Sequence, residues 1–340
     1  MNYSKVTFGV VNCNRLYYLR STLESLKICT LDYPNLEFIV VDNASVEEGT
    51  AEYLDKIEKE GVRVFRQEDR DPSNEFARAL NLICKEATGD FICPLQGDMQ
   101  FTIADRWLEK YVNFYNSHKD EIGYIIFDAQ RKITHGSHSF SNTLGEDYKF
   151  VFDYSRPKIN GGGNVMLSRE VIDLIYPWSI TNISHEGGGD SETAMLKKVH
   201  QLIDDKNLKY KSVLPIIPPS ITIYTDERGT NARVRGEYRY GDYWPPKDDS
   251  LHSYYEISDY ETLIKKFGER KIPVGIEEIA ITVGWDPYID DYGNWKKNPI
   301  KPETAKPNEF VKLTQTKDSE SEFINYQDSD SEYLSEWLDD

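Results

Sequence analysis

Short apolar runs alternate along the first 130 residues with stretches whose apolar positions recur at three- and four-residue intervals. KVTFGVVN (5–12) is an unbroken apolar run of the kind a buried parallel strand needs, and LYYLRSTLESLKIC behind it has helical spacing. LEFIVVDNAS predicts a second strand ending in a polar turn. SVEEGTAEYLDKIEKEG then offers a serine cap, early acids and a closing glycine for a second helix. GVRVFRQ predicts a third strand, NEFARALNLICKEATGD an amphipathic helix closed by Gly89, and FICPLQ a fourth strand. TIADRWLEKYVNFYNSH predicts a helix with Thr102 or Asp105 near its start, followed by a fifth strand in IGYIIFDA.

This alternation predicts an α/β fold: a doubly wound, mostly parallel sheet with helices on both faces and its ligands beyond the carboxyl ends of the strands. From about residue 131 the rhythm loosens. A glycine-rich NGGGNVMLSREVIDLIYPW, then HEGGGDSETAMLKKVHQLI with acids at a helix start, lead to SVLPIIPPSITIYT, a strand interrupted by prolines. DERGTNARVRGEYRYGDYWPP (226–246) is polar, basic and aromatic, the composition of a working loop rather than of packing. Residues 246–316 read as a C-terminal appendage and 317–340 as an acidic tail, expected to be disordered or to dock on a protein partner through its aromatic residues.

Charge changes the picture by exclusion. The net charge of -18 argues against nucleic-acid binding and against an anionic membrane surface, although the tail alone carries nine acids and one lysine. Cys13, Cys29, Cys84 and Cys93 lack CxxC spacing and read as reduced core thiols. The amino terminus has no signal-peptide pattern and no apolar run is long enough for a transmembrane segment, so a cytoplasmic protein is expected.

VTFGVVNCNR, EFIVVDNAS, NEFARALNLICKEATGDFICPLQGD, INGGGNVMLSRE and HEGGGDSETAML, in this order and at fitting intervals, resemble the family two glycosyltransferases of the GT-A fold. The resemblance implies a catalytic domain over 1–245, with a nucleotide-binding half (1–130) and an acceptor half (131–245). It implies a nucleotide-sugar donor, a saccharide or glycan acceptor, and a divalent metal, Mg or Mn. The family's Asp-x-Asp is here Gln96-Gly97-Asp98, so Asp98 aligns with the metal-contacting acid and an amide replaces the first carboxylate. Asp226 stands near the expected second ligand position.

By the same resemblance Asp42 accepts a hydrogen bond from the base, which suits uracil. Asn43 follows it in the same segment, and Asn12, Asn14 and Arg15 close the opposite wall. Arg78 is placed toward phosphate, and Arg228 and Arg233 lie on a loop that would fold over the diphosphate. Gly162 and Gly163 permit close approach of the acceptor, Glu192 and Trp244 are placed to bind it, and Asp190 matches the base of an inverting transfer. Glu192 ranks behind Asp190 for that role and Glu186 third.

Each element also has a plainer reading: Asp42 to Ser45 as an Asx turn and helix cap, Asp98 as a turn cap, and Asp190 to Glu192 as acids favoured at any helix start. Two other functions compete, a noncatalytic sugar-nucleotide or glycan-binding protein and a sugar nucleotidyltransferase. The second would usually show a glycine-rich loop after its first strand, which VNCNRLYYLR lacks. The fold hosts retaining as well as inverting transfer, so the stereochemical outcome stays open.

Overall fold

The computed structural model describes residues 3–71, 74–104, 106–127, 149–153, 163–178, 180, 191–222, 260–267, 288–289 and 295–296. The first half alternates as expected: β1 (Val6–Asn12), α1 (Leu16–Cys29), β2 (Leu36–Asp42), α2 (Thr50–Lys59), β3 (Arg63–Arg66), α3 (Glu75–Glu86) and β4 (Phe91–Leu95). A short β5 (Met99–Phe101) precedes α4 (Trp107–Ser117) and β6 (Ile122–Ile126). Then come β7 (Phe150–Asp153), β8 (Val165–Ser168), α5 (Arg169–Ile175), α6 (Ser191–Lys206), β9 (Lys211–Pro215), β10 (Ser220–Thr222) and α7 (Tyr260–Phe267). The two-residue strands β11 (Tyr288–Ile289) and β12 (Trp295–Lys296) pair with each other.

Eight strands form one sheet in the order β3-β2-β1-β4-β8-β6-β9-β7. β3, β2, β1 and β4 are mutually parallel, β8 lies antiparallel between β4 and β6, and β9 runs parallel to β6 and antiparallel to β7. The α/β architecture with helices on both faces is therefore present, with a parallel first half and a mixed second half.

Alternation along the strands feeds two cores. Val6, Phe8 and Val10 of β1 join residues of α1, α2 and α4 in one, whereas Ile39 and Val41 of β2 join α3, α5 and α6 in the other. Leu263 and Phe267 of α7 are buried in the first core, so a segment from the 246–316 stretch contributes apolar side chains to it. Gly9 shows how tightly the layers meet: a Cβ there would come 2.2 Å from Cγ2 of Ile83 on α3. No helix among the described residues is long and apolar enough to cross a membrane.

Two helix starts differ from expectation. α2 begins at Thr50 behind a left-handed Gly49, not at a Ser45 cap, because the Asp42 carboxylate accepts hydrogen bonds from the Ser45 hydroxyl and amide at 2.6 and 3.0 Å. Asn14 Oδ1 takes the amides of Val46 and Glu47 at 2.7 and 3.1 Å, holding that stretch outside the helix. α4 begins at Trp107, since the preceding residues are recruited into β5, which pairs antiparallel with β10, and Thr102 N donates to Pro219 O.

At the amino-terminal edge of the parallel strands, Arg169 ties α3 to β4: its guanidinium donates to the carbonyls of Cys84, Ala87 and Gly89. Beside it Glu37 accepts from Thr7 Oγ1 (2.6 Å), Thr88 N (2.8 Å), Thr88 Oγ1 (3.0 Å) and Arg63 Nη1 (3.1 Å). Burial works against its charged form, but the bonds from Thr7 and Thr88 outweigh it and hold the carboxyl below its ordinary 4.5. A folded pKa below the unfolded one contributes stability above pH 4.5 that disappears as pH falls through the lower folded value. Glu37→Gln is therefore expected to lower stability by about 1–2 kcal/mol at neutral pH, with the gap to the parent narrowing below about pH 4.5. Denaturant melts across that range check it, and a gap constant with pH would refute it.

Candidate active site

Asn12 ends β1 and Asp42 ends β2, directly opposite each other in the parallel register. Both side chains are buried. Asn12 Nδ2 donates to Asp42 Oδ1 at 2.7 Å and to Ser45 Oγ at 3.2 Å, and the Asn14 amide donates to Ser45 Oγ at 2.8 Å. Ser45, assigned by sequence to a helix cap, is thus the hub that joins the two strand ends. A carboxylate offers about four acceptor positions, and two bonds on Oδ1 plus one on Oδ2 leave room on Oδ2 for one further donor. Asn43, next in chain, is buried, and its Oδ1 has no hydrogen-bond partner among the described residues.

β1 lies between β2 and β4, so the chain runs outward from β1 to β3 and then returns to β1's other side. The crevice at such a reversal is where open α/β sheets bind ligands. Arg15, just before α1, and Asp98, just after β4, meet across it: Nη1 lies 3.3 Å from Oδ2, with the side chains 10% and 9% exposed. Gly97 has a φ of +79°, and a Cβ there would strike Val11 O at 2.5 Å. Only glycine lets this turn lie on β1 and deliver Asp98 to the crevice. Behind Asp98, Thr22 Oγ1 of α1 donates to Met99 O and accepts from Met99 N, while Ser25 Oγ accepts from Phe101 N.

Gln96 is engaged reciprocally with Asn164: its amide N donates to Asn164 Oδ1 at 3.0 Å, and Asn164 Nδ2 donates to Gln96 Oε1 at 3.1 Å. Asn164 is itself set by its own amide bond to Pro94 O at 2.6 Å. Gly163 lies against Gln96, since a Cβ there would come 3.0 Å from Gln96 Cγ. Gly163 and Asn164 therefore meet the end of β4, and Gln96, at the position where Asp-x-Asp would have its first acid, serves to hold them.

Arg78 is half exposed and ion-paired to Asp71 at 2.9 Å, and Asn74 also donates to Asp71. Sequence reading missed the neighbouring Arg70, which grips Glu75 with two bonds of 2.8 and 3.0 Å. Both act on Cys13, beside the Asp42 network: its thiol is pushed up to about 12, chiefly by burial and also by Glu75, with Arg70 opposing. Glu75 opens α3 and Arg70 precedes it by five residues, a spacing across a helix boundary that no helical periodicity reveals.

Asp190, Gly162, Asp226, Arg228, Arg233 and Trp244 lie outside the described residues, as does Glu186. Glu192 is within the first turn of α6. Among the described residues no three His, Cys, Asp or Glu side chains gather into a metal cage. Besides Asp42, which is taken up by Asn12 and Ser45, the described residues bring the buried carboxylate of Asp98 to the crevice, a group of the kind a Mg or Mn ion can share with phosphate oxygens and water.

Several known proteins are similar. A protein of Sinorhizobium fredii, uncharacterized protein y4gI, is 35% identical over 99 residues, which are 29% of this chain and 11% of that protein. S. aureus TarS (residues 1–349), solved in complex with UDP, shares 14% identity at a TM-score of 0.43, over 66% of this chain and 61% of that one. The mannosyltransferase PcManGT from Pyrobaculum calidifontis, solved with GDP-Man and Mn2+, shares 16% identity at a TM-score of 0.44, over 70% of this chain and 62% of that one. Residues 7–175, which hold the parallel half of the sheet apart from Val6 together with Asn12, Arg15, Asp42 and Asp98, match the glycosyl transferase family 2 description. Through those residues the chain carries a glycosyl transferase family 2 region.

Proposed function

We propose that this chain transfers a sugar, with inversion, from a nucleoside diphosphate donor, UDP-linked, to a hydroxyl of a saccharide acceptor. The observation that carries this reading is the pair of networks at the strand ends: Asn12–Asp42–Ser45 on one side of β1 and Arg15–Asp98 on the other. The first presents a carboxylate with an acceptor position for an imide N–H, which uracil has and cytosine lacks. Asn43 Oδ1 adds a second buried acceptor at the same wall. The second network faces the diphosphate.

Transfer then needs a base and a way to hold the leaving charge. Asp190, directly before α6, takes the proton of the acceptor hydroxyl as that oxygen attacks the anomeric carbon and the bond to the diphosphate oxygen breaks. Arg15, with Arg228 and Arg233 from the basic loop, hydrogen-bonds the departing phosphates. Gly162, Gly163, Glu192 and Trp244 form the acceptor side, and Arg78 sits at the donor's outer edge. A Mg or Mn ion held by Asp98, with Asp226 as its second acid, would supply further charge neutralisation at the diphosphate.

The test is a panel of UDP-, GDP- and dTDP-sugars incubated with the chain and simple saccharide acceptors, following nucleotide release and the anomer formed. Release confined to one sugar class, dependent on Mn2+ or Mg2+ and giving the inverted anomer, is expected. Tight nucleotide-sugar binding with no release would favour the noncatalytic binding function instead. The retained anomer would remove Asp190 from its role.

A further inference from the structure

The Arg15–Asp98 pair holds more than a wall of the crevice. It brings a guanidinium onto the carboxylate that the metal is expected to use, with both side chains about nine-tenths buried. Arg15 lies 6.0 Å from the ring centroid of the buried Tyr18, and its own carbonyl accepts the Leu19 amide at 2.9 Å as α1 begins. On the other side Thr22 and Ser25 bind the β5 backbone behind Asp98. The two backbones are therefore fixed to each other through α1, and only side chains have freedom to exchange partners.

We infer that Arg15 is the resident countercation of Asp98, and that it yields this carboxylate to a divalent cation only by moving onto a phosphate oxygen of the nucleotide diphosphate. The inference rests on the donor reading above and extends it to an order of events. A dication added to Asp98 with Arg15 still in place would set a dication and a guanidinium against each other on the same carboxylate in a poorly solvated crevice. The diphosphate supplies further negative charge, and a guanidinium fork suits phosphate oxygens as well as carboxylate. Metal and nucleotide then bind with positive coupling: each is weak alone and tightened by the other, in equal measure.

The test is Mn2+ binding by electron paramagnetic resonance, with UDP as the nucleotide probe, on the full chain and on Arg15→Gln and Arg15→Lys, with thermal melts to confirm folding. Arg15→Gln is expected to bind Mn2+ about tenfold more tightly without UDP and to lose most of the mutual enhancement, within the range of ordinary site-to-site coupling. Arg15→Lys retains the charge, so its Mn2+ affinity without UDP stays at the parent level. The inference is overturned if Arg15→Gln leaves Mn2+ affinity unchanged, or if Arg15→Lys tightens Mn2+ as much as Arg15→Gln does. In both cases UDP still binds the parent with Mn2+, and only the exchange is lost. If the parent binds no UDP under any cation condition, the donor reading itself falls and the inference with it.

Discussion

Asp98→Asn is expected to lower kcat/KM for sugar transfer by about 10²–10³-fold while leaving a folded protein, the loss seen when one group that stabilises transition-state charge is removed. Asparagine keeps the shape and a carbonyl oxygen facing Arg15 Nη1, now 3.3 Å from the carboxylate, but not the charge. Two effects must be separated. Arg15 would lose the charge of Asp98 from beside it, a change that costs stability by up to about 3–5 kcal/mol when a buried pair is fully broken. The crevice would also lose the carboxylate that, among the described residues, the β4 end offers a metal. Comparing thermal melts with kinetics at saturating Mn2+ resolves them: a stability loss alone lowers the melting temperature and spares the rate of the folded enzyme. Activity within threefold of the parent at full folding would remove Asp98 from the reacting centre.

Asp190→Asn should produce a different pattern: kcat falls by about 10²–10⁴-fold, the range for loss of a general base, while UDP affinity is unchanged. Asp190 precedes Ser191, the first residue of the sixteen-residue α6, at a point where the peptide dipoles favour a carboxylate. Because it would act on the acceptor hydroxyl, its loss should also remove the acidic limb of the pH–kcat profile. Retention of kcat in Asp190→Asn with its loss in Glu192→Gln would transfer the role two residues along. Retention in both, with nucleotide still bound, would favour the noncatalytic reading.

The two expectations draw on different kinds of support. Asp98 stands in described geometry, with an ion pair, a glycine turn and a backbone clamp behind it. Asp190 rests on its place in the family motif and on the helix it precedes.

Local chemistry was enough to read the parallel half of the fold from sequence. Apolar runs such as VTFGVVN and LEFIVVD can be satisfied only when buried on both faces, and the helical repeats between them supply the covering layers. Asn12, Asp42 and Asp98 were legible for the same reason, since each is a polar residue at the end of an apolar strand. Tertiary structure alone decided the partners. Ser45 left its expected helix cap because Asp42 and Asn14, from two strand ends adjacent only in the sheet, offer it better hydrogen bonds. β5 escaped notice because three residues carry no period, and its pairing with β10 is long-range. Gln96 with Asn164, Arg70 with Glu75, and above all Arg15 with Asp98, 83 residues apart, are contacts whose energy exists only once the strands are in register. The sequence by itself determined which groups reach the rim of the sheet; the packing of α1 against β5 decided which charge faces which across the crevice, because only folding brings those charges close enough, and dry enough, to interact strongly.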